Sequence, residues 1–131
     1  MIGLDTNILV RYLTRDDQAQ FGKAALFIET AADRGEPLLI GTTVMCELTW
    51  VLGSVYEYSR DDIALALDRI LATAQFEVER QDEVRHALTD FRASKADFSD
   101  ALIGRLHRHL GTSHTATFDR SLRRLETFSV L

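Results

Sequence analysis

Apolar residues along the chain follow two rhythms. Short runs at residues 1–4 and at Leu38-Leu39-Ile40 read as buried strands, and the β-prone stretches Phe76–Glu79, Thr115–Phe118 and Phe128–Leu131 add three more. Between them apolar positions recur at helical spacing. Ile8, Leu9, Tyr12 and Leu13 mark a helix over Asn7–Leu13, and Phe21, Ala24, Ala25, Ile28 and Ala32 mark one over Asp17–Arg34. Further sets are Val44, Leu48, Val51 and Leu52; Ile63, Leu67, Ile70 and Leu71; Val84, Ala87, Leu88 and Phe91; a last helix runs from Asp97 to Leu110. Punctuation agrees with these bounds. Gly35-Glu36-Pro37 stops the second helix, Thr42 or Thr43 caps the third, Ser59-Arg60-Asp61-Asp62 has capping-box form, and Gly111 suits a left-handed C-terminal cap.

Short apolar strands separated by helices predict a parallel sheet covered on both faces. The expected fold is α/β: a three-layer α/β/α sandwich with a central parallel sheet of four to five strands. No linker, repeat or low-complexity tract divides the chain, so residues 1–131 are expected to form a single domain. In such sheets ligands bind in the crevice beyond the carboxyl ends of the strands.

Composition narrows the function. At 46% hydrophobic and 27% charged residues the chain has the balance of a globular protein. A net charge of −5 argues against a passive nucleic-acid binder, because phosphate affinity comes from Lys and Arg, so any such activity must be local. Cys46 is the lone cysteine, which removes an internal disulfide and a multi-cysteine zinc site and makes a reducing cytoplasm the expected home. Asp5 interrupts the N-terminal apolar run where a signal peptide needs continuity, and no window resembles a membrane span.

The chemistry lies in acids at strand ends and helix starts. Asp5 and Asp119 each follow a predicted strand, and Glu47, Asp97 and Asp100 each lie near the start of a helix, where the dipole favours carboxylates. Taken singly, each has an ordinary reading as a cap or turn residue. Together they pose an electrostatic problem. Two carboxylates 4 Å apart repel by about 4 kcal/mol at an effective dielectric of about 20. No Lys or Arg adjoins Asp5 or Glu47 in sequence, and hard oxygen ligands are what Mg²⁺ or Mn²⁺ select.

Other residues carry weaker signals. His86, His107, His109 and His114 have no metal-binding spacing and read as structural; Trp50 reads as a core or dimer contact. Among the cations that could meet phosphate, which include Arg15, Arg105, Arg108, Arg120, Arg123 and Arg124, Arg11 and Lys95 are singled out as candidates. The amphipathic segments Asp17–Arg34 and Ser59–Thr73 offer apolar stripes for core packing, a dimer seam or a partner groove. An aspartyl-phosphate phosphatase also begins strand-Asp, but Asn7 stands where its second Asp belongs. A non-catalytic scaffold has no chemical need for clustered carboxylates. A dinucleotide-binding dehydrogenase lacks its glycine-rich turn.

The segments Leu4-Asp5-Thr6-Asn7-Ile8-Leu9-Val10-Arg11-Tyr12-Leu13, Glu47-Leu48-Thr49-Trp50-Val51-Leu52, Ala96-Asp97-Phe98-Ser99-Asp100-Ala101-Leu102-Ile103 and Thr117-Phe118-Asp119-Arg120 resemble, in order and spacing, the successive motifs of PIN-domain proteins of the VapC toxin type. The resemblance spans nearly the whole chain. It implies an Mg²⁺- or Mn²⁺-dependent endoribonuclease of a type II toxin–antitoxin pair, held inactive by a cognate VapB-type antitoxin and commonly dimeric. By position, Asp5, Glu47, Asp100 and Asp119 match the family's acidic quartet, and Asp97 is a fifth acid within the third motif. Thr6 and Thr117 are expected to support the acids, and Asn7 either to hydrogen-bond a neighbouring carboxylate or to start the following helix; none of the three is expected to act itself.

Overall fold

The computed structural model describes residues 1–131. Contacts group them into two compact units, Met1–Glu79 and Arg80–Leu131.

The first unit runs β1 (Ile2–Gly3), α1 (Thr6–Thr14), α2 (Gln18–Asp33), β2 (Leu38–Ile40), α3 (Thr42–Ser54), α4 (Arg60–Ala72) and β3 (Phe76–Val78). Its strands form one sheet of order β1-β2-β3, both pairings parallel. The central strand is the most apolar, and its Leu38 and Ile40 are fully buried, as expected of a parallel strand covered on both faces. Around it pack Leu9 and Val10 of α1, Met45, Leu48 and Leu52 of α3, and Ile63, Leu67 and Ile70 of α4, all buried. Tyr12 stacks on Phe21 at 6.1 Å and meets Phe76 edge-on at 6.5 Å.

Two caps form as the sequence foretells and one does not. Ser59 accepts from the Asp62 amide at 3.1 Å and Asp17 from the Gln20 amide at 3.0 Å. At α3 the cap position falls on Gly41, which has no side chain to offer. Glu79 does the work instead: its Oε1 accepts from the Thr42 amide at 2.9 Å and the Thr42 hydroxyl at 3.0 Å. The parallel register that pairs Ile40 with Val78 sets Gly41 beside Glu79.

The second unit holds α5 (Gln81–Ala93), α6 (Phe98–His109), β4 (Thr115–Thr117), a 3₁₀ turn (Arg120–Leu122) and β5 (Phe128–Val130). Helices α5 and α6 pack through Phe91 and Phe98, edge to face at 6.3 Å. Arg105 on α6 forks onto Asp90 on α5 at 2.7 and 2.8 Å, a bidentate pair with little exposure at either partner. β4 and β5 pair in parallel. Gly104 lets α6 lie against the start of β5: a Cβ there would stand 2.7 Å from Phe128 Cε2, 2.9 Å from Thr127 Cβ and closer still to Thr127 Oγ1. Gly111 takes φ +103°, the left-handed backbone expected of it.

All five expected strands form and every pairing is parallel, so the α/β class holds; hydrogen bonds group the strands as three and two. Of the two expectations for Trp50, a core or a dimer contact, the structure removes the first. The residue is 66% exposed, because the inward face of α3 is filled by Met45, Leu48, Thr49 and Leu52. No helix is long and apolar enough to cross a membrane.

Candidate active site

In the first unit Asp5 stands two residues beyond β1 and is the N-cap of α1, its Oδ1 accepting from the Thr6 amide at 2.8 Å. The backbone enters the helix there with φ −82° and ψ 159°, the extended geometry of a cap. Since Gly3 pairs with Leu39, Asp5 falls level with Gly41, where α3 begins. Glu47 sits just after the first turn of α3, as its sequence suggests, and is exposed beside the buried Met45, Leu48 and Thr49. Both acids therefore belong to elements leaving the carboxyl edge of the three-stranded sheet. Neither has a basic ion-pair partner. Thr6 is buried under α1.

The second unit gathers the other three. Asp97 is the N-cap of α6, yet its side chain makes no capping hydrogen bond, so its carboxylate is not consumed by the role that would make it ordinary. Asp100 follows in the first turn and is half-buried. Asp119 lies two residues beyond β4, accepts from the Ser121 amide at 2.9 Å, and donates its own amide to Thr117 Oγ1 at 3.0 Å. Thr117 is thus a support for the acid that follows it.

Of these three carboxylates, Asp100 feels both of the others. Burial, then the charges of Asp97 and Asp119, push the Asp100 carboxyl above the ordinary carboxylate range. Asp119 is held below it by hydrogen bonds from Ser121. The set therefore contains one acid whose ionisation is favoured and one whose ionisation is opposed by its neighbours. Within neither unit do three acids, histidines or cysteines draw together closely enough to form a finished metal cage. That is consistent with like charges lacking a counter-ion, and with the habit of Mg²⁺ of binding through one or two carboxylates with waters retained. Within each unit the donors suit a hard divalent cation: they offer oxygen atoms only, and no Lys or Arg forms an ion pair with them.

Two features escaped the sequence. Ser121, the residue that biases Asp119, has no periodic or motif signal beyond lying two positions on, the offset of an Asx turn. Arg11 follows Asp5 closely in sequence, but its guanidinium is taken up by Asp16 at 3.0 Å, Gln20 at 2.6 Å and Tyr56 at 3.1 Å. Lys95 makes no such commitment and opens onto a cavity with Arg92, Arg120, Arg123 and Arg124.

With the parallel α/β elements and the strand-end acids described, comparison with known proteins gives the class. The model of the PIN domain family matches residues 2–127, and the chain belongs to that family. A VapC ribonuclease from Aquifex aeolicus (strain VF5) is 26% identical over 122 residues, covering 93% of this chain and 90% of the relative. No solved structure matches significantly.

Proposed function

We propose that this protein is an Mg²⁺- or Mn²⁺-dependent endoribonuclease and the toxin of a VapBC-type pair, with residues 1–131 acting as a single PIN domain. The observation that carries the reading is the trio Asp97, Asp100 and Asp119, in which burial and then the charges of Asp97 and Asp119 raise Asp100, and no Lys or Arg forms an ion pair with any of the three. Membership of the PIN family and the similarity to a VapC ribonuclease support RNA as the substrate class.

In this reading Asp5, Glu47, Asp100 and Asp119 hold the ion, and Asp97 takes part beside them. When bound, a divalent ion supplies Lewis acidity for the attack of water on a phosphodiester. The remaining work falls to the chain. Asp5 is fixed by the Thr6 amide and Asp119 by Ser121 and Thr117, so two of the acids are held before any ligand arrives. Asp100, reluctant to ionise alone, favours binding of a cation over remaining bare.

Partners follow the same logic. A VapB-type antitoxin and a homodimer need apolar surface, and α2 keeps Leu26 and Phe27 exposed. The other amphipathic segment, α4, is spent on the core through Ile63, Ala64, Leu67 and Ile70. The cytoplasm, where RNA and reduced Cys46 coexist, is the proposed location.

The test is RNA cleavage by metal-stripped protein before and after Mn²⁺ is restored. Cleavage only after restoration supports the proposal. Equal cleavage in both, or a calorimetric titration showing no Mn²⁺ binding with no cleavage in either, favours the non-catalytic scaffold or metal-free chemistry instead.

A further inference from the structure

We propose that a cationic cavity in the second unit, beside the acid trio, binds the phosphates of the RNA strand flanking the bond to be cut. The substrate class rests on the ribonuclease reading above; the site itself rests on charge and placement.

The cavity measures about 550 Å³ and is lined by Arg92, Lys95, Arg120, Ser121, Arg123 and Arg124, with no Asp or Glu among its lining residues. That is unusual in a chain of net charge −5. Elsewhere in the same unit cations are committed: Arg80 to Glu83, Arg105 to Asp90, and Arg108 to Glu126. Lys95, Arg120, Arg123 and Arg124 form no ion pair, and all four are exposed. Like charges set around one hollow repel one another, so the arrangement costs stability unless an anion enters.

Placement says which anion. Arg120 is the next residue after Asp119, about 3.8 Å away by Cα, and Lys95 precedes Asp97 by two residues. The loop between α5 and α6 and the 3₁₀ turn after β4 thus each carry an acid of the trio and a wall of the cavity. Ser121 belongs to both, lining the cavity while its amide holds Asp119. A strand with one phosphodiester at the trio must run its neighbouring phosphates past Arg120 and Lys95. Each phosphate carries a full charge whatever the base, so the contact positions the strand without reading its sequence.

The test uses the full chain, free of divalent metal, and a labelled single-stranded RNA oligonucleotide followed by fluorescence anisotropy over salt. The triple variant Lys95→Gln/Arg123→Gln/Arg124→Gln removes three phosphate contacts and lowers the log–log salt slope by about 2, so that between about 50 and about 200 mM salt it loses about 20-fold less affinity than the unaltered protein. Lys95→Gln alone gives about a third of that slope change. It provides the readout if the triple variant fails to melt cooperatively. Lys23→Gln/Arg34→Gln, on the first unit, leaves the slope unchanged. A salt slope in the folded triple or single variant equal to that of the unaltered protein overturns the proposal. So does a polyglutamate peptide that displaces RNA as well as unlabelled RNA does, which assigns the cavity to an acidic protein partner. Binding is read without turnover: RNA held with the expected slope but never cut removes the ribonuclease reading and leaves the cavity standing, whereas RNA cut by a protein whose slope ignores these residues does the reverse.

Discussion

Asp100 is an acid whose charge its surroundings resist. Its carboxyl is raised by burial and by Asp97 and Asp119, so in the folded state ionisation costs more than in the unfolded chain. A carboxyl with a raised folded pKa leaves stability highest at low pH; that stability is lost as pH rises from the unfolded value, about 3.9, through the folded one. Asp100→Asn removes the penalty. In metal-free buffer the variant melts higher than the unaltered protein at pH 7, and the difference vanishes as pH falls below about 4. Adding Mn²⁺ reverses the order at pH 7, since the ion stabilises only the intact acid set. Equal melting at pH 7 with and without metal would show that Asp100 bears no unanswered charge. At this scale the acids were legible because Asp and Glu stand at fixed offsets from strand ends. Their support was less so: that Asp97 caps without a hydrogen bond, and that Ser121 biases Asp119, depend on side-chain geometry that no spacing specifies.

Elements were the most legible level, since apolar periodicity sets helices and strands directly. All five strands and all six helices fall within a few residues of the expected bounds. What periodicity misses is set between elements. Glu79 caps α3 because β2 and β3 lie in register, and the Arg11–Asp16 ion pair is joined by Tyr56, 45 positions from Arg11 along the chain. Gly104 belongs here too. Within a helical run a glycine signals only weak propensity, yet here it admits Thr127 and Phe128 to the surface of α6. Gly104→Ala gains helix propensity and loses more to overpacking, for a net cost of about 1–3 kcal/mol in denaturant unfolding. A variant as stable as its parent would mean that Thr127 and Phe128 yield freely.

For the whole molecule, charge is sorted rather than averaged. An acidic chain places five carboxylates at strand ends and helix starts and leaves Lys95, Arg120, Arg123 and Arg124 without carboxylate partners, the division that the proposed cleavage of a phosphodiester needs. Composition hid this, because a net charge of −5 sums over paired and unpaired groups alike. The most direct measurement is single-turnover cleavage of RNA in Mn²⁺ by the unaltered protein and by Asp5→Asn, an isosteric change that keeps an acceptor for the Thr6 amide. The account predicts a loss of about 100-fold or more, since even outer-shell partners of metal ligands cost 10–100-fold, with folding unchanged. Cleavage by Asp5→Asn at the parental rate would contradict it.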